Sequence, residues 1–373
     1  MISRLQIENY RSVRKLALDL GPLTVVTGPN GSGKSNLYRC LELLRAAADG
    51  SLSRRVAEEG GMPSAMWAGG AWREESERGR MARARGKGPA QIILGAGVEE
   101  YDYTLALGLP RCTDAALGLD PIVKEETVSA KVGRRRVAML QRKGPSLVAR
   151  SAEGEMRKAA TNLWLFETAL AGFSDPTERP ELARLKSCLL AMRFYHDFPV
   201  GAASPLRTPQ PAIMTPMVDS DGANWAAAVA SLAAIEQDGM PDSAFAHAID
   251  AAFPGGVVRT QEQGGRIEAF LQTPEFHRPF SARELSDGTL RYLALAAVLT
   301  ALRLPSFMAL NEPENSLHPD LVAPLADLIG AASARTQVLV VTHSTALADR
   351  LEVEHAARRI AIRKQRGETQ IID

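Results

Sequence analysis

The stretch from Leu23 to Leu37, LTVVTGPNGSGKSNL, limits this chain more than any other. A short apolar run, a glycine-rich loop and the start of a helical pattern follow one another without a break. Gly28, Gly31 and Gly33 lack a Cβ and tolerate the dihedral angles that turn backbone N–H groups onto an anion. Lys34 then reaches toward outer phosphates, and Ser35 offers a hydroxyl to a magnesium ion. The helix that opens there points the positive end of its dipole at the same phosphates. Leu23 to Thr27 reads as a buried strand, and Leu37, Leu41 and Leu44 recur at helical spacing behind the loop. A chance GxxxxGK[ST] match in 373 residues has a rate on the order of one per cent. The stretch therefore predicts a nucleotide cradle running from Gly28 through Pro29, Asn30, Gly31, Ser32, Gly33, Lys34 and Ser35 to Asn36.

Composition narrows the partners. Lys and Arg number 44 against 43 Asp and Glu, a net charge of +1, so no global field draws the chain onto nucleic acid or a membrane. Any such contact must come from a local patch. Cys40, Cys112 and Cys188 are odd in number and show no CxxC spacing, which argues against a disulfide framework or structural zinc. No apolar run approaches the roughly 18 residues a membrane helix needs, and Met1 is followed by polar residues rather than a signal pattern. The expectation is a cytoplasmic protein with no membrane partner.

Along the chain, residues 2 to 27 read as two or three strands, and the helix behind the loop ends near Asp49-Gly50, where glycine takes a left-handed cap. Residues 51 to 89, rich in Gly, Arg and Glu, read as a solvated loop or partly disordered excursion, with a contact to a phosphate backbone as the lesser reading. From Gln91 to about Arg150 strand patterns predict an antiparallel sheet that carries a basic cluster of Lys131, Arg134, Arg135, Arg136, Arg142 and Lys143. A charged outer face and a contact to DNA or RNA phosphates are both open for it. Glu155 to about Asp197 reads as helical, split at Asp175-Pro176. Asp219 and Asp221 open like a calcium loop but lack its later ligands, and read as a turn capping a helix near Asn224. No internal repeat or sustained heptad is visible. The organisation expected is an N-terminal lobe over 1–150, a mainly helical insert or lid over 151–275, and a closing lobe over 276–373.

About 250 residues beyond the loop come three further stretches. Glu284 to Leu290, ELSDGTL, is a Ser-x-Gly turn leading into a helix, a second anion site built from Ser286, Asp287 and Gly288. Phe307 to Leu310 is an apolar strand ending in Asn311-Glu312-Pro313. Val338 to Val341 is another, ending in Thr342-His343-Ser344. An acidic residue at the carboxyl end of a buried strand sits where open α/β sheets bind ligands. Glu312 there can orient the water that attacks a γ-phosphate, and His343 can donate a hydrogen bond to it.

Taken together, IENYRS, the glycine loop, ELSDGTLRYLALAAVL, FMALNEPENSLHP and VVTHS resemble the ATP-binding-cassette (ABC) ATPases. The likeness is to their soluble RecF and SMC-like branch, and within it to small bacterial ATPases without a long coiled coil. The resemblance implies an α/β P-loop fold with a mostly parallel core sheet flanked by helices, an antiparallel β-subdomain and a helical insert. It implies ATP and Mg²⁺ as cofactors and a head-to-head dimer that sandwiches two ATP molecules. Residues 28–35 of one chain would hold the triphosphate while Ser286 and Gly288 of the other close over it. Glu312 would be the catalytic carboxylate and His343 the γ-phosphate sensor. The resemblance also places Asn311 beside the Mg²⁺ hydration shell. Two departures stand out: Asn311 occupies a position usually held by Asp, and the Q-loop glutamine is unplaced, with Gln141 and Gln210 as candidates.

The function expected is a slow Mg²⁺-dependent ATPase acting on duplex DNA or a separate effector protein, in DNA repair, chromosome maintenance or phage defence. The competing expectation is an ATP-binding switch that dimerises and signals with little turnover. A transporter subunit is disfavoured by the IENYRS opening. The 30 residues after His343 are too few for an appended nuclease domain.

Overall fold

Alternation of apolar and polar residues builds the first sheet. In Val13–Asp19 (β2) the buried Val13, Leu16 and Leu18 are separated by exposed Arg14, Lys15, Ala17 and Asp19, the period of a strand with one face on a core and one in water. β2 pairs antiparallel with Ile2–Tyr10 (β1). The computed structural model describes residues 1–68, 91–110, 120–151, 154–159, 162–236 and 244–372. These form two units: Met1–Gly21, Gly28–Met192 and Ile360–Asp373 make the first, Pro22–Thr27 and Arg193–Arg359 the second.

In the first unit, β1 and β2 join Ile92–Val98 (β4), Tyr101–Gly108 (β5), Ile122–Val132 (β6), Arg135–Lys143 (β7), Ser146–Arg150 (β8) and Met156–Lys158 (β9). The order is β2-β1-β4-β5-β6-β7-β8-β9, and every pairing is antiparallel. Lys34–Asp49 (α1) buries Leu37, Leu41 and Leu44 and ends at Gly50 with φ 83°, the left-handed cap its sequence predicts. Leu52–Glu58 (α2) and Met62–Ala65 (α3) follow. Ala169–Gly172 (α4) and Pro180–Leu190 (α5) complete the helices described in this unit. Arg358–Gln365 (β17) and Glu368–Ile372 (β18) make an antiparallel hairpin about Arg366-Gly367, both at positive φ.

Two expectations change here. Residues 51–68 are not a solvated excursion: Leu52, Val56 and Met62 are buried, and the i, i+4 spacing of the first two gives α2 an apolar face. The remainder of that stretch, 69–90, lies outside the described residues, as does Cys112. Nor is the span from Glu155 continuously helical. Met156 to Lys158 pairs with β8, a tertiary contact that overrides local propensity, and helix resumes only at Thr168, whose hydroxyl caps α4.

The second unit is organised by strands that are buried end to end, the signature of a parallel sheet covered on both faces. Leu23–Thr27 (β3), Phe307–Asn311 (β15) and Gln337–Thr342 (β16) contain only buried residues. With Met192–Tyr195 (β10) they lie in the order β10-β15-β16-β3. β16 runs parallel to both neighbours, with Asn311 opposite Val341 and Thr342 opposite Thr27. Three adjacent strands thus end level, and the next residues along the chain are Glu312, His343 and Gly28. Gln210–Pro211 (β11), Val257–Gln263 (β12), Arg266–Gln272 (β13) and Phe280–Ser281 (β14) form a smaller antiparallel sheet. The helices are Trp225–Glu236 (α6), Ala244–Ala252 (α7), Asp287–Thr300 (α8), Val322–Ser333 (α9) and Thr345–His355 (α10). α8 is buried from Leu290 to Thr300 and packs in one core with Val25, Leu310, Leu325 and Val340.

Candidate functional site

The glycine loop belongs to the first unit, and packing dictates its sequence. A Cβ on Gly28 would stand 2.3 Å from the Ile362 carbonyl oxygen and 2.8 Å from Ser32 Oγ, so only glycine fits. Gly31 and Gly33 take φ 75° and 103°, left-handed values that disfavour other residues. The β17–β18 hairpin braces the loop: Thr369 Oγ1 donates to the Ser32 carbonyl at 2.9 Å and lies 2.7 Å from Ser12 Oγ. Asn36 Nδ2 donates to that same Ser12 hydroxyl at 2.8 Å, so its side chain ties the loop to β1–β2. Lys34 is buried, and its ammonium donates to the carbonyls of Gly28 at 2.6 Å and Pro29 at 3.2 Å. α1 starts at Gly33 with no side-chain cap and no acidic residue in its first turn. Its first N–H groups and its dipole are therefore available to an anion. Pro29, Asn30, Gly31 and Ser35 are exposed, and Ser32 Oγ is buried with no partner.

In the second unit, the end of β15 turns sharply. Glu312 adopts φ 48° and Ser316 φ 64°, unusual for residues with side chains. Glu312 N donates to the Val341 carbonyl at 2.7 Å, and Asn315 N donates to the Glu312 carbonyl at 3.0 Å. The Glu312 side chain, 31% exposed, places Oε1 3.4 Å from His343 Nδ1. Glu314, buried beside it, accepts from the Thr342 hydroxyl and from Ser344 N. Its Oε1 lies 3.7 Å from the same imidazole nitrogen. Asn311 is 8% exposed, and its Oδ1 is buried with no partner.

The Ser286 turn is set by capping. Ser286 Oγ accepts from Thr289 N at 3.2 Å to open α8. The Asp287 carboxylate is held at 2.6 Å by Arg207, whose side chain is 10% exposed and also donates to the carbonyls of Ala282, Arg283 and Leu285. A Cβ on Gly288 would stand 2.6 Å from the Ser316 carbonyl oxygen, so this turn packs backbone to backbone on the one after Glu312. Sequence reading missed Arg207 and Glu314. The NEPENS run around Glu314 offered a faint signal; Arg207 offered none.

Two candidate roles are corrected by position. Arg142 cannot reach a nucleic acid: its side chain is 2% exposed, lies 3.9 Å from Glu126 and donates to the carbonyls of Trp164, Glu167 and Gly144. Burial lowers its pKa and raises that of Glu126, whose carboxylate also accepts from Ala169 N, Leu170 N and the Tyr103 hydroxyl. Gln210 is a structural residue, buried between the Pro205 and Gly222 carbonyls and Ala226 N. Gln141 is exposed on β7. Of the remaining basic cluster, Arg136 pairs with Asp102 and Lys143 lies 3.6 Å from Glu125, while Lys131, Arg134 and Arg135 are exposed at the β6–β7 turn.

Residues 175–349 match a family model described as "AAA domain, putative AbiEii toxin, Type IV TA system", and residues 1–59 match an AAA ATPase domain. Over 44 residues the chain is 46% identical to an OLD nuclease of Thermus scotoductus, a stretch amounting to 12% of this chain and 8% of that protein. Two solved structures are similar over the whole chain. One is an Smc head bound to the C-winged helix domain of ScpA, with TM-score 0.53, 16% identity and 97% of that chain covered. The other is an Smc head domain with an extended coiled coil bound to the C-terminal domain of ScpA derived from Pyrococcus furiosus, with TM-score 0.51, 14% identity and 95% covered. At these identities the likeness to Smc heads is one of fold. The two family models and the fold agree with the expected resemblance to P-loop ATPases of the ABC type. The longest described helix, α1, has 16 residues, and among the described residues no helix is long and apolar enough to cross a membrane.

Proposed function

We propose that this chain hydrolyses ATP with Mg²⁺ as a head-to-head dimer with ATP between the two copies. The observation that carries the reading is that β3, β15 and β16 are neighbouring parallel strands ending level, followed in the sequence by Gly28, Glu312 and His343. In the reaction, Lys34 exchanges the Gly28 and Pro29 carbonyls for phosphate oxygens, and α1 contributes its uncapped N–H groups. Glu312 holds the attacking water and takes up its proton, and His343 steadies the γ-phosphate. Bound Mg²⁺ supplies charge neutralisation on the phosphates. Ser35 and Asn311 fit its hydrated sphere, since Asn311 Oδ1 is a buried acceptor in need of a donor. Ser286 and Gly288 of one copy close over the nucleotide of the other.

The partner is duplex DNA or a separate effector chain. Exposed Lys131, Arg134 and Arg135 support the first. The words toxin and nuclease in the names of the matched family model and relative support control of a separate effector. A slower reading, an ATP-gated switch with little turnover, is favoured by one observation: position 311 carries a neutral amide.

One experiment decides between them. ATP hydrolysis and oligomeric mass are measured for the wild type and Glu312→Gln with Mg²⁺ and ATP, with and without duplex DNA. Turnover in the wild type with a lasting dimer only in the variant establishes the hydrolytic clamp. Equal ATP-dependent dimers without turnover establish the switch.

A further inference from the structure

Beside Glu312 lies a pocket of about 10 Å³, lined by Tyr195, His196, Asp197, Arg291, Asn311 and Glu312 among others. That volume admits about one water molecule. Two polar atoms of its lining residues are buried without a partner: Arg291 Nε, a donor, and Asn311 Oδ1, an acceptor. Both residues are more than nine-tenths buried, at 7% and 8% exposed. A water has a lone pair for the first and a hydrogen for the second, and Oδ1, with two lone pairs, keeps one for the hydrated metal.

The rest of the Arg291 guanidinium is committed. It lies 2.5 Å from Asp197 Oδ1 and donates to the Asn315 carbonyl at 3.0 Å and the Phe198 carbonyl at 3.4 Å. Arg291 stands on α8 five residues beyond Ser286, and Asn315 is bonded back to Glu312. Gly288 against Ser316 makes the second joint between the same two turns.

We propose that this pocket holds one bridging water, and that Arg291, through it and through Asn315, is the positioning residue that carries a displacement of the Ser286–Gly288 turn to Glu312 of the same chain. The proposal rests on the ATPase reading above. In the dimer that turn meets the nucleotide held by the second copy, so each carboxylate is set by the nucleotide of the opposite site.

Mixed dimers test this. In the first, an Arg291→Lys chain is paired with a Glu312→Gln chain, so the competent carboxylate sits in the chain with the altered arginine. Lysine keeps the charge beside Asp197 and lacks Nε. Turnover is expected to fall about tenfold or more below a wild-type/Glu312→Gln dimer. In the second, both substitutions share one chain opposite a wild-type copy, and the rate is expected to stay within about twofold of that control. Slowing in the second arrangement alone, or equal rates in both, overturns the proposal. Binding of a fluorescent ATP analogue to the Arg291→Lys chain is expected to be unchanged within about twofold, and its loss would reduce Arg291 to a structural role. A crystal structure of Glu312→Gln is expected to show a water within hydrogen-bond reach of both Arg291 Nε and Asn311 Oδ1, and density without it overturns the bridge. Absence of turnover in the wild-type homodimer would strike the ATPase reading itself and this proposal with it.

Discussion

His343 Nδ1 lies 3.4 Å from Glu312 Oε1, linking the residues that follow two neighbouring parallel strands. An imidazole thus stands beside the carboxylate. Replacing Glu312 by Gln keeps the shape and removes the proton acceptor. Steady-state turnover is expected to drop about 10²-fold or more, with nucleotide affinity retained and an ATP-dependent dimer visible by sedimentation. Wild-type turnover in the variant would remove Glu312 from the chemistry.

Two glycines of the loop are expected to respond differently to alanine. At Gly31 an added Cβ meets nothing within 4 Å, so the penalty is the left-handed backbone alone, about 1–2 kcal/mol. At Gly28 the Cβ would overlap the backbone oxygen of Ile362, and the loop must move. Thermal denaturation and nucleotide titration of the two variants should show a mild loss for Gly31→Ala and abolished binding for Gly28→Ala.

Asn311→Asp restores a charge beside the expected metal position. At intermediate effective dielectric the gain is on the order of one to a few kcal/mol, so the Mg²⁺ concentration for half-maximal turnover should fall roughly tenfold. An unchanged Mg²⁺ dependence would separate Asn311 from the metal.

The Glu126–Arg142 pair is expected to govern stability rather than binding. Arg142→Met leaves a buried carboxylate without its cation and should cost about 3–5 kcal/mol in denaturant unfolding. Burial raises the Glu126 pKa in the folded state above its ordinary 4.5. The folded state therefore holds that proton at pH values where the unfolded state has released it. Relative to Glu126→Gln, the wild type should lose stability as pH rises above 4.5, and a flat difference would contradict the shift.

If the β6–β7 turn touches DNA, neutralising Arg134, Arg135 and Arg136 together should weaken binding and lower the salt slope by roughly two to three, without changing ATP turnover. Unchanged affinity would take the turn out of the interface.

What could be read in advance was local. The loop, the two apolar strands ending in Asn311-Glu312 and Thr342-His343, and the α1 cap at Gly50 all announce themselves within a few residues. What could not be read depends on distant partners. Arg207 is defined by Asp287, 80 residues away, and Glu314 by Thr342 and Ser344. Arg142 looked like a member of an exposed cluster because it follows Arg136 at strand spacing. A register shift at Val128/Ser129 breaks that alternation, leaving Arg136 exposed and Arg142 buried. Met156 to Lys158 became a strand only because β8 offered an edge.

The Thr369 brace on Ser32 spans 337 positions of sequence. On a ribosome adding about 5–20 residues per second, the glycine loop emerges roughly 20 seconds to a minute before the hairpin that shapes it. The nascent chain therefore cannot finish its cradle until that hairpin has been made, and ATP finds a complete loop only after Thr369 has emerged.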